Sequence, residues 1–258
     1  MVVMLLQYCV VHKEGNNRMI DLNSKSKESV SDDINGHIDD ALEGKPEKRR
    51  TYLGASSLGK ACARCIQYEF LGTPKEKGFS GQTLRIFALG HILEEEAVKW
   101  FRQAGFDLRN AKPDGSQYGF ETGGGKISGH VDGVICGGPD VGLTWPCLWE
   151  MKSANNTKFN AMVKHGVKKA NPVYYAQVNL YMAYMDLADN PAVFTVINKN
   201  TSQLHHEIIT FDGKVAQDTS DKAVRILQAG EQMLPRISDD PSYFQCNWCE
   251  FAQRCHYS

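Results

Sequence analysis

The sequence predicts an α/β fold, with a central mixed β-sheet flanked by helices. Three observations predict it. Apolar residues between positions 83 and 104 (Leu84, Phe87, Ala88, Leu93, Ala97, Val98 and Phe101) recur at helical spacing. From residue 106 the period changes to two, in short segments parted by Pro113-Asp114-Gly115, Gly123-Gly124-Gly125 and Gly137-Gly138-Pro139-Asp140. Helical and strand-like patterns then alternate toward the C-terminus, which is the order of an α/β core. A chain of 258 residues with 42% hydrophobic content suits one large domain or one domain with appendages.

Residues 1–50 read as a flexible N-terminal extension and residues 51–258 as the folded domain. The first 11 residues are apolar but lack a preceding basic region and a small-residue cleavage site, so they make a poor signal peptide. A polar start opens at Met19, which marks residues 1–18 as an upstream extension or an early start. Residues 20–50 are polar, with few aromatics, and end in Lys45-Pro46-Glu47-Lys48-Arg49-Arg50. A helix is expected over 55–71, with Ser56 or Ser57 as N-cap and Gly72 and Pro74 as stops. The next helix, 83–104, ends with Gly105 at its C′ position. Strands are expected over 106–109, 117–121, 126–135 and 147–152. A helix over 172–187 carries Pro172 in its first turn. Strands over 193–197 and 205–211 and a helix over 219–234 complete the chain.

Net charge is −1, so no global basic field advertises nucleic acid. Eight cysteines without a secretory signal argue for a reducing, cytoplasmic setting in which cysteines bind metal or stay free. No apolar run reaches the ~18 residues a membrane span needs, so no membrane partner is expected.

The chemistry concentrates around Glu150-Met151-Lys152. Side chains alternate on a strand, so Glu150 and Lys152 share a face. On the expected strand 126–135, Ile127, Val131 and Ile135 face one way and His130, Asp132 and Val134 the other. An acid such as Asp132 inside an apolar strand needs a partner, and a metal is a natural one. Two carboxylates and one ammonium suit a hard divalent cation and hydrolysis of a phosphodiester. His91 lies one helical turn before Glu95, and Gln177 one turn before Tyr181. Each motif is weak alone.

In order, Gly90-His91, Gly129-x-x-Asp132-Gly133, Glu150-x-Lys152 and Gln177-x-x-x-Tyr181 resemble the RecB-like branch of the PD-(D/E)XK nuclease superfamily, over residues from about 53 to the C-terminus. The resemblance implies a restriction-endonuclease-like core. Asp132 and Glu150 would hold Mg²⁺ or Mn²⁺, with His91 as a further ligand and the Met151 carbonyl completing the site. Lys152 would orient or help deprotonate the attacking water. Gln177 and Tyr181 would hold the DNA strand or the geometry of the site.

The C-terminus carries Cys246, Cys249 and Cys255, spaced C-x2-C-x5-C, and a fourth ligand must come from elsewhere. Cys62 is followed by Arg64 and Tyr68, a pattern similar to iron–sulfur members of the family, the AddB-type and CRISPR-adaptation nucleases. The resemblance therefore implies a [4Fe–4S] cluster on Cys62, Cys246, Cys249 and Cys255, stapling the N-terminal helix to the C-terminal tail. Cys65 departs from that pattern. Cys62 and Cys65 with Cys246 and Cys249 would also make a Cys₄ zinc site, leaving Cys255 spare, as the alternative to the cluster. Cys9, Cys136 and Cys147 read as free thiols.

Lys158, Lys164, His165, Lys168 and Lys169 either contact phosphates or form a solvated face. Tyr174 and Tyr175 either stack on unpaired bases or pack. No base-reading module is visible, so cutting at DNA ends or on single strands is expected. The leading expectation is a metal-dependent DNA exonuclease of recombination, repair or phage replication, acting with a strand-annealing protein or a separate helicase. The alternative is a catalytically weak DNA-binding module of a nuclease complex.

Overall fold

The structure, a computed structural model, describes residues 27–45 and 49–257. The expectations for residues 1–26, Cys9 among them, and for residues 46–48 lie outside it. Contacts divide the chain into two units, residues 1–45 and 46–258. In the first, helix α1 (Lys27–Glu43) replaces the flexible lead-in that polar composition predicts. Val30, Ile34 and Ile38 recur every four residues along it and are exposed, an apolar stripe that bulk polarity conceals.

The second unit opens with β1 (Leu53–Gly54), α2 (Ala55–Leu58) and α3 (Ala63–Leu71). The single helix predicted over 55–71 is therefore two. Gly59, at the end of α2, lies so close to the Val173 main chain that a Cβ would stand 2.6 Å from its carbonyl oxygen. Gly54, not Ser56 or Ser57, stands at the N-cap of α2. Cys62 caps α3, its Sγ accepting from Cys65 N at 3.4 Å. Gly72, at φ +68, ends α3 in the left-handed conformation. Helix α4 (Gly81–Gln103) begins at Ser80, whose Oγ accepts from Thr83 N at 3.3 Å.

Strands β2 (Leu108–Arg109), β3 (Gly119–Thr122), β4 (Ile127–His130), β5 (Gly133–Ile135) and β6 (Cys147–Ala154) follow. Two helices absent from the sequence reading, α5 (Asn156–His165) and α6 (Val167–Ala170), lead into α7 (Pro172–Tyr184). Then come β7 (Ala192–Asn198), β8 (Leu204–Ile209), α8 (Gly213–Ala229), α9 (Phe244–Asn247) and α10 (Ala252–Tyr257). Helix α8 starts six residues before its predicted position because Asp212, not a residue near 219, caps it, accepting from Val215 N at 3.2 Å.

The five-stranded sheet has the order β2-β5-β6-β7-β8 and is mixed: β6 and β7 run parallel and the other neighbours antiparallel. A smaller sheet, β1-β4-β3, pairs β1 with β4 in parallel and β3 with β4 antiparallel. The strand predicted over 126–135 is thus broken at Val131-Asp132, and its halves serve different sheets. The face alternation expected across Asp132 does not hold through that break.

Strand β6 is the axis of the core. Its odd residues Cys147, Trp149 and Met151 pack with Ala97 and Val98 of α4, while Leu148 and Ala154 join the cluster containing Val178, Leu180 and Met182 of α7. Helix α7 is buried on every side from Ala176 to Met182, with its polar Gln177 and Asn179 hydrogen-bonded inside. Among the described residues no helix is long and apolar enough to cross a membrane.

Candidate active site

The break between β4 and β5 creates the site. The β5–β6 ladder ends with Gly133 opposite Trp149. Beyond it the Met151 amide finds no strand partner on that side and instead donates to Asp132 Oδ2 at 2.8 Å. Asp132 is therefore fixed at the end of one sheet beside the middle of β6. Two glycines make the approach possible. A Cβ on Gly133 would meet Leu108 Cδ1 at 2.8 Å, and one on Gly129 would meet Tyr181 Cε1 at 2.4 Å.

Glu150 and Lys152 share a face of β6, as the strand period requires. The Lys152 ammonium donates to Glu150 Oε1 and to the Met151 carbonyl at 3.1 Å, and lies 3.6 Å from Asp132 Oδ2. Gln177 Nε2 donates to Glu150 Oε1 at 2.7 Å and to the Tyr181 hydroxyl at 3.2 Å. The side chain of Glu150 is 1% exposed, and its Oε2 is buried without a partner. Tyr174 lies beneath Lys152, the ammonium 5.5 Å from the ring centre, and packs on Phe194.

The electrostatics are dominated by crowding of carboxylates. Burial, and then Asp132, push the Glu150 carboxyl up to about 8, against the pull of Lys152. Burial and Asp132 likewise raise Glu94, on α4, to about 7. Burial works against the Lys152 charge, but Asp132 and Glu150 outweigh it, so the ammonium is held more firmly than usual. Three carboxylates facing one ammonium leave surplus negative charge in a poorly solvated place.

The structure thus brings together Asp132, Glu150, Lys152, Gln177 and Tyr181. His91 stands apart from them: its side chain is 80% exposed, and its Nδ1 lies 3.9 Å from Glu94 Oε2. Glu94 is the residue that sequence reasoning missed. It precedes the buried Ala97 and Val98 by three and four residues, which places it on the inner face of α4. Glu95, which the helical-turn relation to His91 singled out, is exposed.

Cys62, Cys65, Cys246, Cys249 and Cys255 all line one cavity of about 1180 Å³, together with Arg49, Arg50, Lys60 and Arg236. A hydrogen bond from Cys65 lowers the Cys249 thiol to about 6 and holds the Cys65 proton in place. His256 Nε2 is buried without a partner at the same cavity. The C-terminal segment is held there by Glu76 N bonding Glu250 O at 2.9 Å, by Arg254 N bonding Glu76 Oε1 at 2.9 Å, and by Phe251 against Tyr68. Among the described residues no three His, Cys, Asp or Glu side chains are arranged to hold a metal ion. That applies to the cysteines and to the acids alike. Cys147 is buried and Cys136 partly so, both as free thiols.

Of the basic segment, Lys158, Lys164, His165 and Lys169 are exposed, whereas Lys168 pairs with Asp212 at 2.9 Å and lies over the Tyr175 ring.

No protein-family model matches this chain, and no curated protein matches it. Solved structures similar to it include that of SSO0001, with 13% identity, a TM-score of 0.44, and coverage of 86% of this chain and 94% of that one. An alkaline exonuclease (LHK-Exo) from Laribacter hongkongensis is similar with 16% identity and a TM-score of 0.48, covering 76% and 92%. Its complex with dAMP gives 16% and 0.47 over the same shares.

Proposed function

We propose that this chain is a divalent-metal-dependent nuclease that hydrolyses phosphodiester bonds in DNA, acting at ends or on single strands. One observation carries the proposal: Asp132 and Glu150 share the Lys152 ammonium, Glu94 feels the charge of both Asp132 and Lys152, and Glu150 Oε2 is buried with no donor. A buried acceptor amid surplus negative charge calls for a cation, and all-oxygen donors suit a hard one such as Mg²⁺ or Mn²⁺. Asp132, Glu150 and Glu94 would hold it, with the Met151 carbonyl adjacent; His91, the further ligand the sequence suggested, is exposed beside Glu94.

A bound divalent cation supplies positive charge that stabilises the phosphate in the transition state and lowers the pKa of the attacking water. The remaining work falls to the chain. Gln177 holds the Glu150 carboxylate by its Nε2 bond, and the Tyr181 hydroxyl accepts the other amide hydrogen, which fixes the amide plane. Lys152 orients the attacking water and meets charge developing on the phosphate. Asp132 is kept in place by the Met151 amide. Exposed Lys158, Lys164 and Lys169 would contact phosphates without reading bases.

The cysteine cavity is the proposed seat of a structural metal. Five thiols around one space fit a thiophilic group by donor chemistry, and their side chains must turn inward to converge on it. A [4Fe–4S] cluster on Cys62, Cys246, Cys249 and Cys255 is the leading reading. Zinc is the second, favoured by the contact between Cys65 and Cys249.

The test is anaerobic purification, absorbance and metal analysis, and incubation with end-labelled single- and double-stranded DNA plus Mg²⁺ or Mn²⁺. Wild type should cut only with metal, and Glu150→Ala and Lys152→Ala should not cut. A folded, metal-supplied protein that cuts no DNA would replace the nuclease with a DNA-binding module of a larger complex. A role beside a strand-annealing protein or a helicase would show as cutting that changes when that protein is added.

A further inference from the structure

Strand β8 ends the five-stranded sheet, and among the described residues no strand pairs with its other edge. Its orientation can be read from the ladder. Asn198 N donates to Gln203 O at 2.9 Å, so the main-chain groups of Gln203 face β7. By antiparallel alternation those of His205, Glu207 and Ile209 also face β7, and those of Leu204, His206 and Ile208 face outward. The ladder runs from Leu204 to Ile209 without a bulge. Natural edge strands are guarded by lysine, proline, bulges or short length. β8 has none of the first three and is six residues long. The outward-facing residues also carry exposed apolar side chains: Leu204 is 43% and Ile208 46% exposed.

The sequence of this edge complements itself. Antiparallel pairing with an identical strand must oppose outward-facing residues, and the register with greatest overlap places His206 opposite His206 of the second copy. Leu204 then faces Ile208 of the copy, twice by symmetry, on one side of the sheet. On the other side His205 faces Glu207, whose Oε2 accepts from Val167 N of its own chain at 2.7 Å. The complementarity therefore rests on the apolar pair, Leu204 against Ile208. About six main-chain hydrogen bonds would form, two for each opposed outward pair. A two-fold axis through His206 closes the assembly at two copies.

We propose that this edge is a homodimer interface, at which β8 of a second copy pairs antiparallel with β8 and joins the two sheets into one. A foreign strand would satisfy the main-chain groups, but its side chains would not be set by this register.

The register gives the test. Sedimentation equilibrium of the wild-type chain should show a dimer that dissociates on dilution. Leu204→Lys with Ile208→Lys places ammonium groups opposite one another and should leave a monomer. Leu204→Lys with Ile208→Glu places each lysine opposite a glutamate of the copy and should restore the dimer. Circular dichroism checks that both doubles are folded. Hydrogen exchange on the wild type needs no substitution: the amides of Leu204, His206 and Ile208 should slow as protein concentration rises. A wild-type chain that is monomeric at every concentration, including one whose edge accepts only a foreign strand, overturns the proposal. So does a dimer that both doubles keep or both lose, or exchange at these three amides that ignores concentration.

Discussion

Glu150 carries a cost for the fold that its proposed role at the site would explain. It is fully buried, its Oε2 has no donor, and its carboxyl is pushed up to about 8 by burial and by Asp132. Replacing it by the neutral isostere relieves that crowding, because Glu150 shares the one Lys152 ammonium with Asp132 and leaves its Oε2 buried without a donor. Glu150→Gln should therefore lose metal-dependent cutting while its urea midpoint stays level or rises; a fall in the midpoint would contradict this account. Glu94 supports the same carboxylate cluster from α4. Glu94→Gln removes one of the carboxylates that would hold the cation and should lower cutting by more than about 10-fold, measured as initial rates on end-labelled DNA. Equal rates would remove Glu94 from the site. His91 drew attention in the sequence because it sits in a Gly-His pair, whereas Glu94 sits three residues before the buried Ala97 and does not stand out by motif.

At the scale of elements, the decisive event is the break of one strand into β4 and β5. A period of two continues through residues 127–135, so nothing in the alternation marks Val131-Asp132 as a corner. The reason lies in packing. Gly129 lets β4 lie against Tyr181 on α7, and Gly133 lets β5 lie against Leu108 and Trp149. The chain satisfies both contacts only by changing sheets between them. Gly129→Ala would put a methyl group 2.4 Å from Tyr181 Cε1 and 2.8 Å from Ala55 Cβ. It should destabilise the fold by about 1–3 kcal/mol, read from the urea midpoint, and disturb Tyr181 and with it Gln177. Helix α8 offers a check on capping. Asp212 accepts from Val215 N and pairs with Lys168. Asp212→Ala should cost about 1 kcal/mol in the same measurement, with cutting unchanged. The predicted caps Ser56 and Ser57 went unused because α2 already begins at Ala55, with Gly54 at its N-cap, and holds both serines inside its single turn.

At the scale of the whole molecule, the first and last parts of the domain meet at the cysteine cavity. Glu76, Glu250, Arg254, Tyr68 and Phe251 hold them there by hydrogen bonds and ring packing. Removing a metal bound by the cysteines, with a chelator under reducing conditions, should loosen the segment from Phe244 to Tyr257 before the sheet. Limited proteolysis would then cut first after Phe244 or Trp248, both exposed, while amides of β6 and β7 stay protected. Simultaneous loss of both would show that the metal supports the entire domain.

What the sequence by itself determined is local and periodic. The helix–sheet–helix order, the stop at Gly72, and the shared face of Glu150 and Lys152 all follow from spacings of a few residues and from single-residue backbone preferences. The chain order also marked Asp132, Gln177 and Tyr181 as a set with the Glu-x-Lys strand. Tertiary structure decided everything that depends on which surfaces meet. It split the strand at Asp132, turned Glu94 toward the acids and His91 toward solvent, gathered five cysteines around one cavity, and left the β8 edge open. These outcomes depend on contacts between segments far apart in the chain, where close packing and the satisfaction of buried polar groups select one arrangement from many that local pattern permits.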